Sequence, residues 1–77
     1  MNIKVLGPGC AKCEEAERIV REAVAESGKA VEVEKIKDMQ EFMKYGVFST
    51  PAVVVDGTVK AMGKMPSKKD VLSWINE

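Results

Sequence analysis

Histidine is absent from this chain, and cysteine occurs only twice. The first absence excludes Cys–His nucleophilic catalysis and any mixed Cys/His zinc site within one chain. Two cysteines cannot close a four-thiolate zinc site without a second copy. Net charge is lacking as well: twelve basic and twelve acidic side chains cancel. A nucleic-acid binder needs a basic face, so none is expected as a partner. No stretch approaches the roughly 18 apolar residues of a membrane span. The opening residues lack the basic and long apolar regions of a secretory leader. The expected location is the cytoplasm, where a lone C-x-x-C is more often catalytic or metal-binding than structural. Repeats, linkers and low-complexity stretches are also missing, and 77 residues predict one domain, 1–77, with a modest core. That length leaves no room for a large substrate cavity.

The two cysteines stand two residues apart in Gly7-Pro8-Gly9-Cys10-Ala11-Lys12-Cys13. A strand pattern gives way to a helix pattern there. At this spacing two thiols can close a disulfide and reopen it. At a helix N-terminus the unpaired N–H groups and the helix dipole favour thiolate, the reactive form. A structural disulfide gains little from so short a loop, about 2 kcal/mol in the chain-entropy model. The residues alone leave three readings open: a redox dithiol, a metal-binding pair, or a structural or inert pair.

Along the chain, Asn2–Leu6 reads as a strand with Ile3 and Val5 on one face. Ala11–Ser27 reads as a helix, with Ala16, Ile19, Val20, Ala23 and Val24 forming one apolar stripe. Its other face offers Glu14–Arg18 and Glu17–Arg21 as i,i+4 pairs, and Gly28 closes it. Val31–Glu34 alternates like a half-exposed strand. Asp38 and Glu41 have capping-box spacing for a short helix ending near Tyr45 and Gly46. Met39, Phe42 and Met43 are its apolar residues and are expected in the core. Ala52–Val55 is continuously apolar, as in a strand covered on both faces. Asp56-Gly57 signals a hairpin into an edge strand, Thr58–Met62. A last helix starts near Ser67 and packs Val71, Leu72, Trp74 and Ile75, with Trp74 a core anchor. The order β-α-β-α-β-β-α, with a right-handed parallel crossover first and a hairpin last, predicts an α/β fold. It has a four-stranded mixed sheet in the order 2-1-3-4 and helices on both faces.

With Cys10-Ala11-Lys12-Cys13 after the first strand and Thr50-Pro51 before the third, the chain resembles the thioredoxin superfamily over essentially its whole length. It is most similar to the small archaeal and bacterial thioredoxin/glutaredoxin-like redox-active disulfide proteins. The resemblance implies a thioredoxin-like fold and a cis Pro51 lying against the dithiol. It also implies an oxidoreductase in which Cys10 is the nucleophile and Cys13 resolves the mixed disulfide. Gly9, Ala11, Lys12, Thr50 and Pro51 would form the substrate groove. Lys12 adds a positive charge near the thiols, or is simply an exposed lysine. The implied partners are protein disulfides and an upstream dithiol reductase. No cofactor or metal is expected, and a monomer is.

The chain departs from the family pattern in places. Thioredoxins usually read Trp-Cys-Gly-Pro-Cys, whereas Gly9 precedes Cys10 here. Their buried aspartate, six residues before the first cysteine, is replaced by Lys4. Glutaredoxins usually read Cys-Pro-Tyr-Cys and hold glutathione with a Gly-Gly and an acidic residue after the fourth strand. Here that region is Met62-Gly63-Lys64-Met65, so glutathione is expected to be a poor reductant. The alternative is a Cu(I)-type metal chaperone using the same two thiolates. Such domains run β-α-β-β-α-β and usually carry Met two residues before the first cysteine, where this chain has Pro8. A third reading is an adaptor that docks partners without redox chemistry.

Overall fold

The computed structural model describes residues 1–9 and 11–77. Seven elements follow one another: β1 (Asn2–Leu6), α1 (Ala11–Ser27), β2 (Glu32–Ile36), α2 (Met39–Lys44), β3 (Ala52–Val55), β4 (Thr58–Met62) and α3 (Lys68–Ile75). The strands form one sheet in the order β2-β1-β3-β4. β1 and β2 are parallel, joined across α1, while β1–β3 and β3–β4 are antiparallel. The expected class and strand order hold. β2 starts at Glu32 and runs two residues beyond the expected Glu34. It pairs with β1 residue for residue through Leu6 and Ile36, and the Gly7 N–H donates to the Ile36 carbonyl at 2.9 Å. Pairing with its neighbour, not its own alternation, sets the end of this strand.

Alternation along β1 divides the core in two. Ile3 and Val5 join Val53 and Val55 of β3 beneath Ala16, Val20 and Ala23 of α1 and Val71 and Ile75 of α3. Leu6 turns to the other face with Ala52 and Val54, beneath Phe42 of α2 and Val47. β3 is buried along its whole length, as its unbroken apolar run requires. Trp74 packs on the larger cluster. β4 does not simply alternate. Its register shifts between Val53 and Val54, which pair with Ala61 and Val59, so Lys60 is the extra residue of a β-bulge. Val59 and Ala61 would share a face of a regular strand. The bulge sends Val59 to the α2 cluster and Ala61 to the α1/α3 cluster. At the tip of this hairpin both Asp56 and Gly57 have positive φ, 47° and 83°, as a tight primed turn needs.

The helix ends are capped locally. The Asp38 carboxylate accepts from Gln40 N at 2.9 Å, and Ser67 Oγ accepts from Asp70 N at 3.1 Å. The expected capping box is half made, because the Glu41 carboxylate pairs with Lys44 at 2.8 Å instead. On α1 the Glu17–Arg21 pair forms at 2.9 Å, but Arg18 takes Glu22 and Glu15 rather than Glu14. The expectation for α2 needs a larger correction. Phe42 is buried, but Met39 and Met43 are 71% and 74% exposed. A six-residue helix has one inward face, which Phe42 occupies; Met39 and Met43, four apart, share an outward one.

Glu17 ties the crossover helix to the sheet, since its second carboxylate oxygen reaches Lys35 Nζ of β2 at 3.4 Å. The hydrogen bond from Arg21, and more weakly Lys35, holds this carboxyl below its ordinary value, against a smaller opposing effect of burial. Glu17→Gln is expected to cost about 0.5–1 kcal/mol at neutral pH. A depressed folded pKa stabilises fully above the ordinary carboxyl range and is lost as pH falls through the folded value. The difference between variant and native chain should therefore shrink towards zero by about pH 3. Urea midpoints at the two pH values measure it.

Candidate active site

The site lies at the end of β1, where Leu6 pairs with Ala52. One register step further, Gly7 leaves β1 opposite Pro51, which enters β3. Gly7 is buried. A Cβ placed on it would stand 2.3 Å from Cys13 Sγ and 2.7 Å from Cys13 Cβ. Only glycine admits this approach. Cys13, in the first turn of α1, is fully buried. The fold thus brings Gly7, Pro51 and the Cys13 end of α1 to one corner of the sheet.

The Thr50–Pro51 peptide is cis, as expected. Pro51 is buried and Thr50 half-buried. The Pro51 carbonyl accepts from Gly63 N at 3.0 Å, so Met62-Gly63-Lys64-Met65 runs past the cis peptide. Ala11 and Lys12 are exposed at the start of α1, and Gly9 is half-buried ahead of it. Cys10 lies outside the described residues, and with it the expected contact between Pro51 and the nucleophile.

Two features of this corner escaped the sequence reading. Lys37, between β2 and α2, lays its Cε 4.0 Å from the Cβ position of Gly9. Its ammonium is therefore a neighbour of the loop that precedes Cys10. No motif marks Lys37; the side-by-side ends of β1 and β2 place it there. The second feature is apolar. A groove of about 370 Å³ opens between Pro8 and Thr50, floored by Phe42 and Val47 and walled by Met39, Met43 and Phe48. Phe48 is 87% exposed. At the opposite end of the sheet, Met1, Val31 and Asp56 border a wider hollow of about 510 Å³, with no described thiol beside it.

The Thioredoxin domain family matches residues 1–76 of the chain. The chain belongs to that family. It is 42% identical over 71 residues to a thioredoxin of Methanothermobacter thermautotrophicus, with 92% of each chain covered. It is 36% identical over 69 residues to a thioredoxin of Methanocaldococcus jannaschii, covering 90% of this chain and 79% of that one. A probable thioredoxin of Methanothermobacter thermautotrophicus is 35% identical, with all of this chain and 94% of that one covered. The function is accordingly a thioredoxin-like redox function.

Lys4 stands where the family resemblance would place an aspartate. Its Nζ donates to Tyr45 Oη at 2.7 Å and lies 5.4 Å from the centre of that ring. The hydrogen bond to Tyr45 raises its pKa above the ordinary lysine value, with burial opposing. Tyr45 packs on the α2 cluster, so Lys4 faces α2, away from the sheet face that carries α1. The residue standing where thioredoxins place their aspartate is therefore turned from Cys13 and committed to α2.

The close approach at Gly7 predicts a steep penalty. Gly7→Ala forces the first turn of α1 off the end of β1 and is expected to destabilise the chain by about 1–3 kcal/mol, the usual cost of overpacking. Gly28→Ala is the comparison: no atom lies within 4 Å of a Cβ there, and its positive φ of 69° makes its cost one of backbone strain alone. Urea unfolding of both variants compares the clash at Gly7 with that strain.

Proposed function

We propose that this thioredoxin-family chain is a thiol–disulfide oxidoreductase that reduces protein disulfides with Cys10 and Cys13. The observation that carries the reading is the seat of Cys13: buried in the first turn of α1, against Gly7, at the register step shared with Pro51. A buried second thiol beside an accessible groove suits a resolving role.

In the proposed exchange the Cys10 thiolate attacks one sulfur of a substrate disulfide. The Cys10–substrate bond forms, the substrate S–S bond breaks, and the leaving sulfur departs as thiolate and takes a proton. Cys13, deprotonated, then attacks Cys10 Sγ and releases the second substrate thiolate. The chain ends as a Cys10–Cys13 disulfide, having lost two electrons, and the substrate ends as a dithiol. An upstream dithiol reductase reverses the change on the chain. Thr50, Pro51, Gly9, Ala11 and Lys12 border the approach of the substrate. Thr50 precedes β3 at the cis peptide, and its main chain would pair with an extended substrate chain.

The copper-chaperone alternative is not favoured, because the family and the terminal helix α3 both belong to the thioredoxin architecture. Glutathione is not the proposed reductant. The only glycine near the cis peptide on that side is Gly63, followed by Lys64 rather than an acidic residue.

Reduced Cys13→Ser, mixed with a disulfide-bonded protein, should accumulate a stable Cys10–substrate mixed disulfide, seen by mass. Cys10→Ser should form none and should reduce substrate no faster than the reductant alone. Turnover by Cys10→Ser at the native rate would refute the assignment. A second measurement compares reductants: the oxidised chain should turn over with a dithiol reductase system and at least about tenfold more slowly with glutathione. Comparable rates would restore a glutaredoxin-like role.

A further inference from the structure

The segment between α2 and β3 is held from two sides, and the hold changes hands at Phe48. Up to Val47 the chain is fastened to α2: the Gly46 N–H donates to the Met43 carbonyl at 3.0 Å and the Val47 N–H to the Phe42 carbonyl at 2.9 Å. The next N–H, that of Phe48, donates to Met62 Sδ at 3.4 Å. Met62 ends β4, and its main chain stands opposite Ala52 in the β3–β4 register. Gly63 follows. Its N–H donates to the Pro51 carbonyl at 3.0 Å, and it lies so close to Ser49 that a Cβ on it would stand 2.8 Å from Ser49 Cβ. Met62 thus straddles the segment, its backbone beside Ala52 and its sulfur reaching back to Phe48. Ser49, Thr50 and Pro51 lie between these anchors. Burial does not call for methionine at this position, which is 45% exposed. An exposed site on an edge strand is served by a polar or β-branched residue, as Thr58 serves at the other end of β4. Methionine adds a long, unbranched reach and a sulfur that accepts a hydrogen bond, if a weak one.

We propose that Met62 is a positioning residue for the substrate: by accepting the Phe48 N–H, its sulfur holds the main chain of Ser49 and Thr50 where an extended chain beside the substrate's cystine pairs. This rests on the dithiol reading above and adds to it the side chain that sets the place of Thr50. The hold on that main chain passes through Phe48 and not through the exchanging sulfurs. Met62 therefore governs how well a polypeptide is bound, and leaves exchange with a small disulfide alone.

The test uses the reduced full chain and two substrates: a peptide with an internal cystine and extended flanks, and hydroxyethyl disulfide, which has no main chain to pair. Met62→Leu keeps the side-chain volume and removes the acceptor. It is expected to raise KM for the peptide about fivefold, the scale of one hydrogen bond, with kcat and the rate on hydroxyethyl disulfide unchanged. Met62→Gln, whose amide oxygen accepts from the same N–H, should bring KM back towards the native value. Amide exchange followed by NMR reads the contact without any redox step. The Phe48 N–H should exchange faster in Met62→Leu, and the Val47 N–H, bound to α2, should not. A native KM in Met62→Leu, or an equal loss on both substrates, overturns the proposal and leaves the dithiol reading standing. So does a Gln variant no better than the Leu variant, or unaltered exchange at Phe48. A lower thermal melt for Met62→Leu assigns the residue to packing and likewise overturns it. A native chain that reduces neither substrate overturns the dithiol reading and this proposal with it.

Discussion

The arrangement of this small protein depends on the contact between the bare backbone of Gly7 and the side chain of Cys13. A helix can be brought down on the end of its own preceding strand only where no side chain stands between them. That contact sets the height of α1 over the sheet, and small residues continue it: Ala16 and Ala23 are fully buried on the same stripe. Close seating lets Val20 reach Ile3 and Val5 in one cluster. The same contact buries one thiol of the motif. Packing and chemistry thus share a cause, and a change at Gly7 acts on both.

The two faces of the sheet are unequal, and the inequality divides the work. On one face a helix of 17 residues and another of eight close a cluster of ten buried side chains with the sheet. On the other, a helix of six residues and the loop after it close a cluster of five. Apolar burial at about 25 cal/mol per Å² therefore stabilises chiefly the first face. The lightly covered face carries the groove, the exposed methionines and the Lys4–Tyr45 pair. Segments with fewer buried contacts open more readily. The bulge at Lys60 serves both sides, because it lets one edge strand feed Val59 to the small cluster and Ala61 to the large one.

Much of this was legible from residue periods. The 3.6-residue stripe of α1, the unbroken apolar run of β3 and the Asp56-Gly57 turn each encode local geometry, and each stands where its pattern places it. The Cys10–Cys13 spacing at a strand-to-helix junction marks candidate chemistry in the sequence; the cis Thr50–Pro51 peptide, which the structure shows, was expected only through family resemblance. What stayed hidden depends on neighbours far along the chain. Thr58–Met62 alternates on paper, and only pairing with β3 reveals that Val59 and Ala61 face opposite ways. Met39 and Met43 look like core because a six-residue helix is too short for its own pattern to say which face is inward. Lys37 has no motif at all, and its place beside Gly9 follows from the register of β2 on β1.

Lys4, at the position of the aspartate expected from the family resemblance, changes what the proposed resolution of a mixed disulfide would require. Cys13 must lose a proton before it attacks, and among the described residues no charged side chain is buried. Lys4, at the aspartate's position, is a cation bound to Tyr45 on the far face of the sheet. A cation there can neither accept the proton nor reach the thiol. In the proposed exchange the departing substrate thiolate would be the strongest base created, formed where Cys13 would ionise. In that exchange the N-terminal dipole of α1 would lower the cost of a thiolate, and Lys12 at the start of α1 and Lys37 beside Gly9 add positive charge at the surface. Under the proposed function, the helix N-terminus and surface charge stand in for the family's buried carboxylate, and the proton would leave with the product.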